Sequence, residues 1–229
     1  LLDFADTLEE RLGISLEILD VGGNLACPTV SHVSARAARL AVTFGCEPVP
    51  RPPESVLSID DYVEHLATRV EEHFASRGRT PPRVFVEPGR AMTGNAQLLL
   101  ARVAALHERD ESGLSWAVLD AGLNVAEPLR SEFHQIFPLA ARPGAPTRLH
   151  RLTGPSCTLA DRLYDAWSLP ELAPGDGVSI MDSGAYFVPF ATCFSRPRPA
   201  VALVWNGRVA LLRRAETFAD LTALESEEP

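Results

Sequence analysis

The stretch Val84-Phe85-Val86-Glu87-Pro88-Gly89-Arg90 joins a short apolar strand to a turn. Because Pro-Gly favours a turn, the sequence predicts that an acidic side chain and a guanidinium lie together at one edge of a sheet or barrel. Such a pair can hold a ligand that is cationic at one end and anionic at the other. The alternative is a local ion pair on a surface turn between a strand and a helix.

Strands and helices alternate on both sides of this stretch. Residues 16–21 form a predicted strand that ends in Gly22-Gly23-Asn24, where backbone amides can approach a phosphate, although a Gly-Gly pair can also be a turn and nothing more. Residues 25–57 are rich in proline and predict a long loop, Ser58 begins a helix, and residues 96–107 predict another helix. This alternation is typical of the parallel βα units of a TIM-type barrel.

From Trp116 onward the pattern changes to short strands separated by turns. The predicted strands are 116–119, 178–181, 200–205 and 209–212. Asn206-Gly207, between the last two strands, predicts a β-hairpin. The sequence therefore predicts an α/β part followed by an all-β part: a partial TIM-type (βα) barrel over residues 1–112 and a C-terminal β-domain over residues 113–229.

Composition argues against several classes of function. The 229 residues carry a net charge of −9, which disfavours a nucleic-acid partner because phosphate contacts need a basic face. No apolar run approaches the roughly 18 residues of a membrane span. The four cysteines lack CxxC spacing and the six histidines lack ligand spacing, so we predict no metal site, reduced thiols and a cytoplasmic protein.

The second half of the chain carries two further candidate sites. Gly154-Pro155-Ser156-Cys157 places a thiol on a tight turn, where it can be a nucleophile, a proton donor or a packed small residue. Gly184-Ala185-Tyr186 follows a strand and offers either a phenol that bonds a phosphate or a buried tyrosine with one satisfied hydrogen bond. Neither motif identifies a function by itself.

Taken in order, these motifs resemble those of one enzyme family, the fold-type III pyridoxal-phosphate decarboxylases, which include the ornithine, diaminopimelate and arginine decarboxylases. The motifs that carry the resemblance are, in chain order, Gly22-Gly23, Glu87 to Arg90, Asp120-Ala121-Gly122, Gly154 to Cys157 with Asp161, Gly175-Asp176 and Gly184 to Tyr186. The resemblance spans essentially the whole chain. It implies the C-terminal half of a TIM-type barrel followed by the family's β-domain, with pyridoxal 5'-phosphate as cofactor and an amino acid as substrate.

The resemblance also assigns roles to particular residues. Those assigned to the cofactor are Gly22, Gly23, Glu87, Gly89, Arg90 and Tyr186. Glu87 would pair with the pyridine nitrogen and keep it protonated, so that the ring can accept the electrons released when carbon dioxide leaves. Cys157 would protonate the resulting carbanion. Because the family supplies this loop to the neighbouring subunit's site, the resemblance implies a homodimer.

The sequence departs from the family's pattern at positions that contact the phosphate and the substrate in that family. Asn24 stands where the family usually has a third glycine, and Thr158 stands where an acidic residue usually reads the substrate. The cation that grips a distal carboxylate is missing near Glu127-Pro128, although Arg130 lies close. We therefore expect Thr158, Asp161 and Arg130 to contact a substrate that these residues do not fix as ornithine or diaminopimelate.

The largest departure concerns lysine, because all 21 basic residues of the chain are arginine. A guanidinium is never deprotonated in proteins and cannot form the family's Schiff base with the cofactor. We expect that a preceding half of a longer protein carries the Schiff-base lysine and the remaining barrel strands. The alternatives are a non-catalytic relative that binds a partner or a ligand, and a fold-related amino-acid racemase.

Overall fold

The computed structural model describes residues 1–23, 25, 33–49, 57–107, 114–140 and 143–225. The helices are α1 (Leu2–Leu12), α2 (Ala35–Phe44), α3 (Ile59–Ala75), α4 (Arg90–Thr93) and α5 (Phe218–Leu221). The strands are β1 (Ile18–Gly23), β2 (Arg83–Glu87), β3 (Leu99–His107), β4 (Ser115–Leu119), β5 (Ile136–Pro138), β6 (Thr147–Thr153), β7 (Arg162–Pro170), β8 (Gly177–Ile180), β9 (Val201–Trp205) and β10 (Arg208–Arg213).

The described residues form two compact units. The first unit holds residues 1–23, 25 and 57–94, and the second holds residues 33–49 together with the described residues from 95 onward. The predicted boundary near residue 112 falls among residues 108–113, which lie outside the described residues. Since β3 belongs to the second unit, the units divide between Gly94 and Asn95, and the assignment of residues 1–112 to a barrel stays a prediction.

In the first unit, a two-stranded parallel sheet packs against two helices. Strands β1 and β2 are parallel, with Ile18 opposite Arg83 and Gly23 opposite Glu87. Helix α3 begins after Ser58, whose hydroxyl accepts a hydrogen bond from the Asp61 amide at 3.0 Å and so caps the first turn. The buried core of this unit consists of Ala5, Leu19, Val70 and Phe74. The predicted parallel strands at 16–21 and 83–86 and the helix after Ser58 are confirmed.

An ion cluster joins helix α1 to the end of helix α3 in the same unit. The Asp6 carboxylate contacts His73 Nε2 at 3.1 Å, Arg77 Nη2 at 3.3 Å and the Arg79 guanidinium, which also pairs with Glu9 at 2.6 Å. Burial would raise the pKa of the Asp6 carboxyl, but the hydrogen bond from His73 and the two cations outweigh it and lower that pKa. The cluster therefore favours the charged form of Asp6.

A six-stranded mixed sheet in the order β5-β8-β3-β4-β6-β7 forms the second unit. Strands β4 and β6 are parallel, and the other neighbours in this sheet are antiparallel. The indole Nε1 of Trp167 on β7 donates to the carbonyl of Ile136 on β5 at 3.0 Å. Because this bond joins the two outermost strands, the sheet is nearly closed around its core. The fully buried residues there include Ala117, Leu119, Leu152, Val178 and Ile180.

The two-residue turn predicted at Asn206-Gly207 is confirmed. Strands β9 and β10 are antiparallel, and Asn206 and Gly207 both have positive φ, at 48° and 71°. This is the geometry that makes Asn-Gly favourable in a two-residue hairpin. Several apolar side chains of the hairpin are exposed, including Val204 and Trp205.

The prediction of a helix over residues 96–107 is wrong, because Leu99–His107 form strand β3. Its burial alternates from Leu100 to Ala105, and it pairs with β8 along its first half and with β4 along its second half. The run Leu-Leu-Ala-Arg-Val-Ala-Ala-Leu contains good helix formers, so helix propensity favours the wrong state. Pairing with a strand on each side outweighs that weak local preference.

Part of the predicted loop over residues 25–57 is also wrong, because Ala35–Phe44 form helix α2. The Ser34 hydroxyl accepts a hydrogen bond from the Ala37 amide at 3.2 Å, and Gly45 ends the helix in the left-handed conformation. Both residues are standard helix boundary signals. The prolines on either side of this segment favour a loop when residues 25–57 are considered together. That composition outweighs the two boundary signals in the sequence-based prediction.

Candidate cofactor edge and thiol loop

At the carboxyl ends of β1 and β2, glycine allows two backbones to approach closely. A Cβ on Gly23 would overlap the backbone carbonyl of Glu87, so only glycine fits without a shift. The amide of Gly22 donates to the Asp20 carboxylate at 2.8 Å, and Gly22 has a positive φ of 71°. Glycine at position 23 therefore allows the end of β1 to lie directly against the backbone of Glu87. Asn24 lies outside the described residues.

The predicted turn after Glu87 is confirmed. The Glu87 side chain is exposed at the end of β2, and Gly89 has φ 49° and ψ −115°, a conformation that residues with a Cβ rarely adopt. Arg90, half-buried, begins the short helix α4. The structure thus brings Gly22, Gly23, Glu87 and the Gly89-Arg90 turn to one edge of one small sheet.

In the second unit, the loop between β6 and β7 carries the predicted thiol. Cys157 is exposed, as are Thr158, Leu159 and Ala160 after it, so the packed-residue reading of Cys157 is not what the structure shows. Leu159, at the tip of the loop, is 86% exposed. The loop then returns to the sheet at Asp161, which is only 5% exposed.

Buried Asp161 holds both ends of this loop. Its carbonyl accepts from the Gly154 amide at 2.9 Å, and its own amide donates to the Thr158 carbonyl at 3.0 Å. Its carboxylate accepts from the Ser156 amide at 2.9 Å and, on the turn after β4, from the Leu123 amide at 2.7 Å. The loop is therefore tied to a second segment through one side chain.

Tyr186, Thr158 and Arg130 are all exposed. Tyr186 has a positive φ of 69°, is 42% exposed and packs on Phe190 with ring centroids 5.3 Å apart, which is not the buried tyrosine of the alternative reading. Thr158 accepts from the Ala160 amide at 3.3 Å. Arg130 ends a 3₁₀ turn that begins at Glu127. Their assigned contacts with phosphate or substrate stay predictions.

His134 is a buried polar residue to which the sequence assigned no role. The ring is fully buried, with Nδ1 2.9 Å from the Met181 carbonyl and Nε2 3.1 Å from Glu132. Its backbone amide donates to the Tyr164 hydroxyl, which donates in turn to the His134 carbonyl, both at 2.8 Å. Burial raises the pKa of the Tyr164 hydroxyl. This network links the 132–134 segment to β7, and no spacing in the sequence indicates it.

An apolar groove of about 550 Å³ lies between the start of β3 and the β9–β10 hairpin, and none of the predicted site residues lines it.

Among the residues with described positions, no three His, Cys, Asp or Glu side chains group as metal ligands. No described helix combines the length and apolarity that crossing a membrane would require.

Comparison with known proteins identifies the family. The family model described as "Pyridoxal-dependent decarboxylase, C-terminal sheet domain" matches residues 6–184. The chain belongs to this family of pyridoxal-dependent decarboxylases, as the ordered motifs predicted. The predicted sheet domain and the family's pyridoxal cofactor are thereby confirmed at the level of the family.

Several diaminopimelate decarboxylases are similar to this chain. The enzyme of Methanothermobacter thermautotrophicus is 31% identical over 225 residues, covering 96% of this chain and 47% of the enzyme. That of Vibrio cholerae is 32% identical over 232 residues, covering 100% and 48%. The crystal structure of the M. jannaschii enzyme in co-complex with L-lysine has a TM-score of 0.78 at 24% identity, covering 98% and 46%. The chain spans about half the length of the curated relatives it matches.

Proposed function

We propose that this chain is part of a pyridoxal-phosphate-dependent amino-acid decarboxylase whose substrate is diaminopimelate or a closely related amino acid. The observation that carries the proposal is the edge where Gly23 lies directly against the backbone of Glu87 and the carboxylate of Glu87 is exposed. The substrate class rests on the similar curated enzymes, which are named diaminopimelate decarboxylases at 27–32% identity.

The donor set at this edge fits the two ends of the cofactor. Gly22, Gly23 and Gly89 present backbone without side chains, and Arg90 supplies a guanidinium suited to a phosphate. The carboxylate of Glu87 would hold a proton on the pyridine nitrogen, because a nearby negative charge favours the protonated ring. When bound, pyridoxal phosphate supplies the electron sink for cleavage of the bond to the carboxylate.

In the second unit, Cys157 would hold the proton that is returned to the substrate's α-carbon. A proton donor must reach the reacting atom, and the thiol is exposed on a loop that is fixed at both ends. The proposed role explains why a reactive residue stands on an anchored loop rather than in the core.

We propose that the loop tip at Cys157 to Ala160 is covered by a second copy of the protein in a homodimer. Residues 157–160 at this tip are all exposed and Leu159 is 86% exposed, so a second copy would cover apolar surface there. The resemblance to the family supplies the same arrangement, in which each copy donates this loop to its neighbour. Dilution of the full-length protein should then reduce activity together with dimer content.

We propose that strands β1 and β2 are part of a larger barrel in the full-length protein. Parallel strands normally have both faces covered, whereas Ile18 on β1 and Phe85 on β2 are 41% and 47% exposed, which supports completion of a TIM-type barrel by further strands. We propose that the Schiff-base lysine lies on one of those strands. The free thiols of Cys46, Cys157 and Cys193 are compatible with a reducing cytoplasm.

The experiment substitutes the two charged residues of the edge in the full-length protein. Arg90→Ala should raise the dissociation constant for pyridoxal phosphate by about tenfold to a hundredfold, because a charge-assisted bond is lost. Glu87→Gln should leave cofactor binding within about threefold but lower kcat for diaminopimelate by about a hundredfold. Cofactor absorbance and carbon dioxide release measure the two effects.

Matched controls come from helix α3, where Arg69 and Glu71 are exposed. Arg69→Ala and Glu71→Gln should change neither quantity. Equal effects in edge and control variants would overturn the assignment of the edge. A protein that binds the cofactor and racemises amino acids without releasing carbon dioxide would replace the decarboxylase with the racemase. Absence of cofactor binding would replace it with the non-catalytic relative.

A further inference from the structure

We infer that Asp161 is a positioning residue that fixes where Cys157 is presented. The inference rests on the proposed role of Cys157 as proton donor, but its structural part can be tested separately. The carboxylate of Asp161 bonds two backbone amides that are far apart in sequence, those of Leu123 at 2.7 Å and Ser156 at 2.9 Å. A substrate contact would need an exposed carboxylate, whereas this residue is 5% exposed.

Two glycines enclose the Asp161 carboxylate. A Cβ on Gly122 or on Gly154 would overlap its oxygens, so both backbones approach closer than any residue with a side chain allows. Gly122 precedes Leu123, and Gly154 opens the thiol loop. The glycines of Asp120-Ala121-Gly122 and of Gly154-Pro155-Ser156-Cys157 therefore serve one purpose, which is to let a carboxylate lie between the two segments.

Asp161 forms two backbone anchors, one hydrogen bond to the residue directly before Cys157 and one to the residue directly after it. The amide of Ser156, one residue before the thiol, is held by the carboxylate, and the carbonyl of Thr158, one residue after it, accepts from the Asp161 amide. Both anchors belong to the same residue. A change in the position of Asp161 must therefore move the backbone that carries Cys157.

The chemistry of the contact requires a carboxylate rather than an amide. Each oxygen of Asp161 accepts from a different backbone N–H, Oδ1 from Leu123 and Oδ2 from Ser156. Asparagine has one acceptor and one donor at these positions, so one N–H would face another N–H in a buried site. A donor that loses its partner and cannot reach water opposes the folded contact, which is enough to open one of the two hydrogen bonds.

The test compares Asp161→Asn with Asp165→Asn in the full-length protein. Asp165 is a matched control because it lies on β7, which begins directly after Asp161, and its carboxylate pairs with Arg162 and Arg151 rather than with the loop. In Asp161→Asn, amide hydrogen exchange at Leu123 and Ser156 should rise by about tenfold or more, as expected for a buried bond lost. The rate at which iodoacetamide alkylates Cys157 should change by at least about threefold.

Catalysis separates positioning from a general structural defect. With diaminopimelate, Asp161→Asn should lower kcat by about tenfold to a hundredfold while KM and cofactor affinity stay within about twofold, because a misplaced proton donor affects the reaction and not ground-state binding. Asp165→Asn should leave kcat, amide exchange and alkylation unchanged. If Asp161→Asn does not fold, Asp161→Ser, with room for a bridging water, replaces it in the same measurements.

The outcomes distinguish the inference from the proposed function. Unchanged exchange at Leu123 and Ser156 and unchanged alkylation in Asp161→Asn would overturn the inference, even if the wild-type protein is a decarboxylase. A wild-type protein without decarboxylase activity, in which Asp161→Asn still alters exchange and alkylation, would overturn the proposed function and support the anchoring of the thiol loop. Equal losses in kcat and cofactor affinity would overturn the positioning role.

Discussion

In both units a glycine lies close to an acidic residue, but the acidic side chain is exposed in the first unit and buried in the second. In the first unit, Gly23 approaches the backbone of Glu87, and the side chain of Glu87 is exposed. In the second unit, Gly122 and Gly154 approach the side chain of Asp161, which is buried and bonded to backbone amides. One carboxylate is exposed at the edge of a sheet, whereas the other accepts hydrogen bonds from two separate backbone segments.

This difference shows how a site residue can be told from a positioning residue. Both Glu87 and Asp161 lie in motifs shared with the family, and from sequence both are candidates for ligand contact. Burial and hydrogen-bond partners separate them, because the carboxylate of Asp161 is enclosed between two backbone segments whereas that of Glu87 is exposed. Substitutions next to each acid test this comparison.

The largest effect is expected from Gly154→Ala. The added methyl overlaps the Asp161 carboxylate, so the variant combines overpacking with the loss of buried hydrogen bonds, and we expect a destabilisation of about 3 kcal/mol. Hydrogen exchange in β6 and β7 of the full-length protein should show it. The matched control is Ala160→Ser, at an exposed position of the same loop. Wild-type protection in Gly154→Ala would mean that the close approach is dispensable.

A comparable effect is expected from Gly23→Ala, because the added methyl overlaps the backbone carbonyl of Glu87, which cannot turn aside as the end of a side chain can. We expect a destabilisation of about 3 kcal/mol and about a tenfold weaker affinity for pyridoxal phosphate, since the backbone of the Gly22-Gly23 turn that would hold the phosphate shifts. Exchange in β1 and β2 and a cofactor titration measure these quantities. Ser15→Ala, exposed just before β1, should change neither. Destabilisation with unchanged cofactor affinity would separate this edge from the cofactor.

The smallest effect concerns the response of the first unit to pH. Because the cluster with His73, Arg77 and Arg79 lowers the pKa of Asp6 below its ordinary 3.8, the charged carboxylate contributes stability above that value. This contribution is lost as the pH falls through the lowered pKa. Asp6→Asn should therefore be less stable than wild type at pH 7, and thermal unfolding should show the difference shrinking below about pH 4. Glu10→Gln, exposed on the same helix, should show no such convergence.

The sequence predicts those parts of the fold that are set by local chemistry. Asn206-Gly207 fixes its hairpin because both residues tolerate positive φ, and Ser58 fixes the start of α3 by capping it. The composition of residues 99–107 favours a helix, and only pairing with β4 and β8 makes them a strand. Such pairing depends on segments distant in sequence and leaves no local signal.

The same limit applies to the candidate site. The motif order was sufficient to identify the family, and the turn at Glu87 to Arg90 follows from Pro88-Gly89. The contact of Asp161 with Leu123 could not be predicted, because it joins residues 38 apart in sequence. The sequence offers one signal, which is that Gly122 and Gly154 both follow the end of a strand. Only the structure shows that the carboxylate of Asp161 lies between these two glycines.

The pairing of β3 with β8 has a consequence for how the second unit folds. Leu99 pairs with Ile180, so the chain must close a loop of about 80 residues before these two strands meet. Sheets with such distant partners fold slowly, typically in milliseconds to seconds, because loop-closure entropy is lost before the contacts form. Local pieces such as the β9–β10 hairpin can form within microseconds. Refolding should therefore show early hairpin formation followed by a slower phase in which β3 becomes protected.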